Sequence, residues 1–387
     1  MLFLAPLLIV LALITVESRE VRVIFITDTH IGEGCASLEA KDCKPVRNLA
    51  SAVQKVNALE EQPDAVFISG DITASALLEQ YEKAYELLSK LRAPWFPLMG
   101  NHDAWPYEKG ADGSFNQTDT PVGDEYFTRV FGAQLNGLKQ QGDTVVSDWP
   151  TQPCTNADFG FESHFQNFKV RFPSLMPELS FLALDWSARE SALPEPGVGP
   201  QAELHDFPCG TAPWLREQLA TIATSTNVTQ ERVFLVQHHP FHNRDVLDPF
   251  GKNRVYNFTF DDQQLSSVQD MLGADLTVDN YLGVQAGHIH RWFNGHAFTQ
   301  FTSTSSDWLQ LVEYETSACK GWYVDEQFVA AFTSVNFDYA AAGGISQHMA
   351  QFWQLPDGRW ERKKLGFGSG DRISVNERGL VEQTLLT

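Results

Sequence analysis

The sequence predicts an α/β fold in which a largely parallel sheet is layered against helices. Three short apolar runs rich in β-branched or aromatic residues read as strands: Val21–Thr27, Asp64–Ser69 and Pro94–Met99. Between them, apolar residues recur at helical spacing, first after Pro45, which suits a helix start, and then over residues 77–91. Strands that alternate with helices predict parallel neighbours in a layered sheet.

The rest of the chain divides into three parts. Residues from about 104 to 153 have weak periodicity and predict a long surface excursion, either functional or separately packed. The strand and helix pattern then resumes at Leu179–Leu184, Trp214–Ile222, Arg232–Gln237, Asp261–Leu272 and Tyr281–Ala286. After Phe298 the chain predicts β-hairpins, one turning at Pro356-Asp357-Gly358. We assign this tail to sheet edges without a chemical role.

The composition narrows the classes of ligand. Of 387 residues, 28 are Lys or Arg and 49 are Asp or Glu, which gives a formal net charge of −21. Such an acidic surface repels long polyanions, so we expect no nucleic-acid partner. A small phosphate ester stays compatible, because bound metal ions can reverse the local field.

The N-terminus predicts entry into the secretory pathway. Met1–Val16 is apolar and uncharged, which favours a signal peptide over residues 1–18, although an uncleaved signal anchor stays open. No later stretch is long and apolar enough to span a bilayer, so no stable span is expected after cleavage. Three glycosylation sequons begin at Asn116, Asn227 and Asn257. We expect a glycoprotein that is secreted or lies in an endomembrane lumen.

Five cysteines are compatible with two disulfides and one odd thiol. Pairing Cys35 with Cys43 would close a short loop, and pairing Cys154 with Cys209 a longer one, which leaves Cys319. This pairing is a hypothesis. No pair has the CxxC spacing of a zinc–thiolate site.

Five of the predicted strands lead directly into residues that can bind metals. The blocks are Asp28-Thr29-His30, Gly70-Asp71, Gly100-Asn101-His102-Asp103, His238-His239-Pro240 and Gly287-His288-Ile289-His290. The carboxyl ends of parallel strands meet at one edge of a sheet, so we expect one site. Imidazole and carboxylate ligands suit Zn, Mn or Fe. Two such ions, about 3.5–4 Å apart, can clamp a phosphate and activate a bridging water.

As an ordered set, these five blocks resemble the calcineurin-like metallophosphoesterase superfamily, and the resemblance runs from Val21 to about Trp308. It implies a four-layer α/β/β/α sandwich, with two sheets packed face to face between helices. We expect this domain over residues 19–312. A β-rich C-terminal extension over residues 313–387 would pack on it.

The resemblance also implies a role for each site residue. The site would hold two metal ions, divalent or mixed-valence. The first ion would be bound by Asp28, His30, Asp71 and His290. The other would take Asp71, Asn101, His238 and His288, so that Asp71 bridges. His238 is preferred to His239, because the family's ligand stands two residues before the proline. His102 would lie over the leaving group, and Asp103 would either orient His102 or cap the turn.

This sequence differs from the motifs of several branches of the superfamily, which narrows the branches that it could resemble. Purple acid phosphatases have Tyr where Ala74 stands, and Ser/Thr protein phosphatases have Asp-Arg-Gly where this chain has Ile72-Thr73-Ala74-Ser75. Leu184-Asp185, Trp214-Leu215 and Gln218-Leu219 look most like class III cyclic-nucleotide phosphodiesterases. Secretion looks more like the acid sphingomyelinase-type branch, which usually has Glu where Asp103 stands.

We therefore predict a secreted phosphoesterase that hydrolyses a phosphomonoester or phosphodiester by attack of a metal-bridging hydroxide. The alternatives are a sphingomyelinase-like or polyphosphatase activity, or a non-catalytic relative used for binding. The complete ligand set favours an enzyme. The natural substrate, the metals, the optimum pH and the oligomeric state stay open at this point.

Overall fold

The computed structural model describes most of the chain from Glu20 onwards. The described ranges are 20–109, 115–117, 122–139, 145–149, 152–155, 162–189, 202–224, 231–241, 245–247, 253–255, 260, 262–275, 280–288, 293–299, 309–315, 319, 330–339, 345–363, 372–375 and 381–384. The predicted signal peptide, residues 1–18, lies outside these ranges, as do the sequon asparagines Asn227 and Asn257.

Helices and strands alternate through most of the described chain. The helices are α1 (Lys44–Asn57), α2 (Leu78–Leu88), α3 (Gly123–Leu138), α4 (Thr211–Thr224) and α5 (Asp262–Asp275). The strands are β1 (Glu20–Ile26), β2 (Ala65–Ser69), β3 (Trp95–Leu98), β4 (Tyr107–Lys109), β5 (Phe115–Gln117), β6 (Val145–Ser147), β7 (Cys154–Thr155), β8 (Glu162–Ser163), β9 (Phe168–Phe172), β10 (Met176–Leu184), β11 (Arg232–Gln237), β12 (Asp245–Leu247), β13 (Asn253–Val255), β14 (Tyr281–Ala286), β15 (Phe293–Thr299), β16 (Leu309–Glu315), β17 (Ala330–Tyr339), β18 (Ile345–Gln354), β19 (Trp360–Lys363), β20 (Arg372–Val375) and β21 (Val381–Thr384).

The first sheet contains the three N-terminal strands and most of the C-terminal ones. Its order is β21-β20-β18-β17-β1-β2-β3, with β19 paired to β18. Strands β1, β2 and β3 are parallel neighbours, as their alternation with α1 and α2 predicts. Helix α1 begins one residue before Pro45 and buries Val46, Leu49 and Val53. The predicted β-α-β-α-β order is therefore confirmed.

The assignment of the C-terminal tail to sheet edges holds for β21 but is wrong for β17. Strand β17 lies in the interior of the first sheet, between β1 and β18, and pairs antiparallel with β1 from Glu20↔Asp338 to Phe25↔Thr333. Its Phe332, Val335 and Phe337 side chains belong to the core. Hairpin patterning gave no sign of this position, because the partner strand lies about 300 residues earlier in the chain.

The second sheet supplies the remaining parallel strands of the fold. Its order is β15-β16-β14-β11-β10-β9-β6, with β10 parallel to β11 and β11 parallel to β14. The first and second sheets pack face to face through phenylalanine rings. Phe181 lies 5.3 Å from both Phe67 and Phe337, and Phe234 lies 6.0 Å from Phe25, measured between ring centroids.

Alternation along the second sheet separates two cores, as a two-residue strand period requires. Phe234 and Val236 of β11 face the first sheet, whereas Val233 and Leu235 pack with helices α4 and α5. Helices therefore cover the outer face of each sheet. The predicted four-layer α/β/β/α sandwich is confirmed.

The predicted surface excursion contains a helix that the sequence reading missed. Helix α3 buries Phe127, Phe131, Leu135 and Leu138, which lie at helical spacing. Gly123, Gly132 and Gly137 weaken the local helix propensity and obscured that pattern. The helix is stabilised by tertiary packing, since Phe127 and Phe131 contact Tyr81 of α2 edge to face.

Both proposed disulfides are present. Cys35 bonds to Cys43 across a Cα–Cα distance of 4.5 Å, and Cys154 bonds to Cys209 across 5.5 Å. Cys319 is a buried free thiol. Within the described ranges, no helix combines the length and the apolar character needed to cross a bilayer.

Candidate metal centre

The ligand-type residues meet where strands of both sheets end. The loop after β1 is bound to the loop after β2, since Asp28 N–H donates to the Gly70 carbonyl at 3.0 Å and His30 N–H to the Asp71 carbonyl at 2.9 Å. In the second sheet, Gly287 N–H donates to the His238 carbonyl at 3.0 Å. Six of the seven predicted metal ligands come together at this edge. The seventh, His290, lies outside the described residues.

Four of the predicted ligands adopt left-handed backbone conformations. The φ angles are +52° at Asp28, +43° at His30, +49° at Asp71 and +70° at His288. Non-glycine residues avoid this region, and each such residue costs on the order of 1–3 kcal/mol. Strain concentrated on one group of side chains is typical of a functional site.

Two glycines allow the loops to approach each other closely. A Cβ atom at Gly100 would lie 2.3 Å from both the backbone nitrogen and Oδ1 of Asp71. A Cβ atom at Gly70, where φ is +91°, would lie 2.5 Å from the imidazole of His238. Neither position has room for a side chain, so the glycines of these blocks are required by the packing around Asp71.

The Asp71 carboxylate lies at the centre of the group. Its Oδ2 is 3.3 Å from His30 Nε2 and 3.2 Å from His238 Nε2, and its Oδ1 accepts the N–H of His102 at 2.9 Å. Burial alone would raise the pKa of Asp71, but the neighbouring imidazoles of His238 and His102 hold it well below the usual range. The carboxylate is therefore ionised and faces both sides of the site.

Candidate metal-binding groups occur on both sides of this carboxylate. Among the described residues, His30, Asp71 and His102 form one group, and Asp71, His238 and His288 form the other. Asp71 belongs to both groups, as a bridging ligand must.

Hydrogen bonding fixes the orientation of His238. Its Nδ1 lies 2.9 Å from the Ser69 carbonyl, which can only accept, so Nδ1 carries hydrogen. Its Nε2 faces Asn101 Oδ1 at 3.1 Å as well as Asp71. Burial lowers the pKa of His238, but the charge of Asp71 outweighs it and raises the pKa to about 9. With its pKa raised, His238 must lose a proton before its Nε2 can bind a cation together with Asp71 and Asn101.

His239 neighbours His238 in the same block and is the alternative ligand there. It is fully buried, and neither ring nitrogen has a hydrogen-bond partner in the described part of the chain. Burial, together with the charges of His288 and His238, holds its pKa well below the usual range, so the ring is neutral. Its ring packs edge to face on His238, with centroids 5.1 Å apart. Among the described residues His238 belongs to a candidate metal-binding group and His239 belongs to none, which supports the choice of His238.

Thr27 is a supporting residue that sequence reasoning missed. Its hydroxyl donates to Asp28 Oδ2 at 2.8 Å, and the same oxygen accepts the N–H of His288 at 3.1 Å. The other oxygen, Oδ1, lies 3.8 Å from His30 Nε2. Thr27 thereby orients a predicted ligand. Its position directly before the Asp-Thr-His block was the only available signal.

His102 lies beside His30 and Asp71, in one of the two candidate metal-binding groups. Its ring packs edge to face on His30, with centroids 4.6 Å apart. Its Nδ1 lies 2.8 Å from the backbone carbonyl of Ala74. Because a carbonyl only accepts, this bond makes Nδ1 a donor and leaves Nε2 as the other reactive nitrogen.

Asp103 binds backbone groups of two loops, which supports turn capping among its two predicted roles. Its fully buried carboxylate accepts the N–H groups of Ile72 at 3.0 Å, Thr73 at 2.8 Å and Gly100 at 2.9 Å, and the Thr73 hydroxyl at 2.8 Å. Burial, and then the charge of Asp71, raise its pKa to about 6. Asp103 faces the backbone, since unpaired buried N–H groups are costly.

The donor set fits transition metals. Neutral imidazole nitrogens, carboxylate oxygens and one amide oxygen suit Zn, Mn or Fe, whereas Mg and Ca favour all-oxygen sets. The convergence of Asp71 Oδ2 and Asn101 Oδ1 on His238 Nε2 is the arrangement that a cation would stabilise.

A family model for calcineurin-like phosphoesterases matches residues 21–292. The glycerophosphodiester phosphodiesterase GpdQ of Enterobacter lignolyticus is 44% identical over 54 residues, which are 14% of this chain and 19% of that protein. A probable GpdQ of Arcobacter nitrofigilis is 32% identical over 82 residues, or 21% of this chain and 29% of that protein. The chain thus spans less than a third of the length of these relatives.

Solved structures with a similar outline have low sequence identity. A purple acid phosphatase from yellow lupin seeds has a TM-score of 0.43 and 11% identity, covering 88% of this chain and 52% of its own. The phosphopantetheinyl hydrolase of Mycobacterium tuberculosis has a TM-score of 0.36 and 11% identity, covering 78% and 91%.

The family match covers well over half of the chain. It includes the six predicted metal ligands that the structure brings together, and also His290. The chain belongs to the calcineurin-like phosphoesterase family.

Proposed function

We propose that this protein is a secreted phosphoesterase that cleaves a phosphomonoester or phosphodiester with two metal ions. The observation that carries the proposal is the convergence of six ligand-type side chains, from five strand ends, on one edge of the two sheets. Ion one is assigned to Asp28, His30, Asp71 and His290, and ion two to Asp71, Asn101, His238 and His288. The two candidate groups that share Asp71 support the bridging assignment.

When bound, the two ions supply charge neutralisation at the phosphate and lower the pKa of water. The protein's own groups complete the site. Thr27 and the His288 amide fix the Asp28 carboxylate. The Ser69 carbonyl fixes His238 with its Nε2 towards Asp71. This pre-orientation reduces the rearrangement that metal binding requires.

His102 is assigned as the general acid. A departing alkoxide needs a proton as its bond to phosphorus breaks, and a positioned acid typically contributes about 10²–10⁴-fold. Because Nδ1 donates to Ala74, the proton for the leaving group must come from Nε2. Asp103 is assigned a positioning role, since its four hydrogen bonds connect the loops that contain Asp71 and Asn101.

The test of this function is hydrolysis of an ester panel by protein secreted from a eukaryotic host. The panel includes alkyl and aryl monoesters and diesters, sphingomyelin and polyphosphate. Glycerophosphodiesters are included because two relatives are named for that activity. Chelation should abolish hydrolysis, and Zn, Mn or Fe should restore it. Full activity in metal-free protein would overturn the two-metal proposal, and inactivity of metal-loaded protein on all esters would favour a binding role.

Secretion is supported by the apolar N-terminal run, the three sequons and the two disulfides. Disulfides persist mainly in oxidising compartments. The protein should enter the secretory pathway and shrink on enzymatic deglycosylation. A cytosolic, unglycosylated product would contradict this part of the proposal.

A further inference from the structure

Gln80 of α2 is a buried side chain that no sequence motif singled out. Its Oε1 accepts the N–H of Ala74 at 3.1 Å and the N–H of Ser75 at 3.0 Å, and its Nε2 donates to Ser75 Oγ at 2.9 Å. The side chain is only 6% exposed. A Cβ atom at Gly32 would lie 2.5 Å from Gln80 Nε2, so the amide is closely packed from the opposite side.

One peptide unit hydrogen-bonds to both Gln80 and His102. The Ser75 N–H and the Ala74 carbonyl lie on the same planar peptide group, so fixing one of them fixes the direction of the other. Gln80 binds the N–H of this unit, and His102 Nδ1 lies 2.8 Å from its carbonyl. Hydrogen bonds at both ends of a peptide also polarise each other. Gln80 and His102 are thus connected through one rigid group.

The peptide takes the place that a carboxylate would be expected to fill. Asp103 follows His102 directly, but its oxygens accept hydrogen bonds from Ile72, Thr73 and Gly100. The contact to His102 Nδ1 comes instead from the Ala74 carbonyl. A neutral acceptor leaves the ring orientation dependent on how firmly the peptide itself is fixed.

We propose that Gln80 is a positioning residue for His102: by fixing the Ala74–Ser75 peptide it sets the tautomer and orientation of the imidazole. The inference rests on the proposed function, in which His102 protonates the leaving group. Loss of Gln80 should not dismantle the loop. Thr73 stays bound to Asp103, and the Ala74 N–H also donates to the Ile31 carbonyl at 3.0 Å.

The experiment compares three variants of the full-length, metal-loaded protein. Gln80→Met removes the acceptor and keeps the length of the side chain. Gln80→Glu keeps acceptor oxygens for both N–H groups and serves as the conservative rescue. Gln351→Met is the matched control, since it removes another fully buried amide, on β18, that contacts Thr333 and Trp353.

Three quantities are measured: metal content, kcat and KM on alkyl and aryl esters, and the ¹⁵N signals of the His102 ring in metal-free protein. For Gln80→Met we expect intact metal content, about a tenfold fall in kcat on alkyl esters, a smaller fall on aryl esters and unchanged KM, because proton donation matters for poor leaving groups. At a pH where the ring is neutral, its signals should change from one Nδ1–H tautomer to a mixture. Gln80→Glu and Gln351→Met should keep the wild-type ratio of alkyl to aryl rates.

The inference is overturned if Gln80→Met keeps the wild-type rate ratio, if Gln351→Met changes that ratio equally, or if Gln80→Met loses its metals. Failure of the proposed function looks different. There, wild-type protein would be inactive on every ester, or His102→Ala would show no selectivity for leaving groups. A wild-type enzyme with a selective His102→Ala variant and an unselective Gln80→Met variant would reject the role of Gln80 alone.

Discussion

The polar atoms of Asp71 and His102 have different surroundings. The two oxygens of Asp71 face different groups: Oδ2 lies near His30 and His238, whereas Oδ1 accepts a backbone N–H. The two nitrogens of His102 are likewise distinguished, since Nδ1 contacts the Ala74 carbonyl. Substitutions at the residue scale should therefore have effects that differ in kind and not only in size.

Replacing His102 by Ala should affect esters according to their leaving groups. The protein should fold and keep its metals, lose about 10²–10⁴-fold on alkyl esters, and retain much more activity on aryl esters, whose leaving groups need no proton. Steady-state kinetics with metal analysis measures both effects. An equal loss on both ester types, with metal content intact, would mean that His102 stabilises the phosphoryl group. Loss of metal would mean that His102 is a metal ligand or a structural support for the metal site. This outcome is worth testing because His102 lies beside His30 and Asp71.

Asp71→Ala should lose more metal than Asn101→Ala. Asp71 belongs to both candidate groups, whereas Asn101 Oδ1 lies 3.1 Å from His238 Nε2, on one side of the site. Removal of a shared ligand affects two ions, and removal of an unshared ligand affects one. Metal-to-protein ratios after dialysis measure the difference. Small and equal losses in the two variants would contradict the bridging role.

Metal affinity should rise with pH because of His238. Its folded pKa of about 9 is above its usual value, so at lower pH a proton must leave before a metal can bind. One competing proton weakens binding about tenfold per pH unit below that pKa. Asp71, with a pKa well below the usual range, stays ionised and adds no slope. Competition with a chelator at several pH values measures this, and His239→Phe should keep the wild-type slope. A flat profile would exclude His238 as the protonated ligand.

At the scale of elements, hydrogen bonds connect the loops that follow neighbouring strands of the first sheet. Asp103 connects the loop after β2 with the loop after β3, through N–H groups of both. Gln80 of α2 binds the same β2 loop from its other side. The predicted metal ligands are thus positioned by contacts between elements, and no single motif contains those contacts.

Asp103→Ala should destabilise metal-free protein substantially. Three buried N–H groups and one hydroxyl would lose their acceptor, and each such loss costs about 1–3 kcal/mol. Relief of the burial that raises the Asp103 pKa offsets part of this, so we expect about 3 kcal/mol in urea unfolding. Asp338→Ala is the control, since it removes a partly exposed ion pair with His348, worth about 1 kcal/mol at most. Similar small losses in both variants would show that Asp103 does not connect the loops.

At the scale of the whole molecule, the C-terminal part of the chain pairs with its first strand. Strand β17 lies between β1 and β18, and the face-to-face packing of the sheets uses Phe337 of β17 against Phe181 and Phe234. The division at residue 312 into a catalytic domain and an extension stays a prediction. The pairing of β1 with β17 provides a direct test of it.

A chain that ends at residue 312 should fail to form a soluble monomer. Without β17, the β1 strand would lose its antiparallel partner from Glu20 to Phe25, and the core would lose Phe332 and Phe337. Unpaired strand edges and exposed apolar surface both promote aggregation. Size-exclusion chromatography and circular dichroism of this truncation are compared with full-length protein. A soluble, folded and metal-binding truncation would establish the domain boundary.

The sequence by itself determined the class of protein, because its signals are local. Hydrophobic periodicity predicts the order of strands and helices. The five metal-ligand blocks come directly after predicted strands. The left-handed turns at Asp28 and Asp71 also lie at those blocks. Helix α3 was missed although its spacing was present, since three glycines weaken its intrinsic propensity.

Tertiary structure decided what depends on partners distant in the chain. The central position of β17 arises from pairing with β1, which local pattern cannot specify. The hydrogen bonds of Asp103 and the contact between Ala74 and His102 were also decided there, because a hydrogen bond depends on where backbone groups of another loop lie. Residue types gave the chemistry that the site can perform, and packing between distant segments gave each atom its direction.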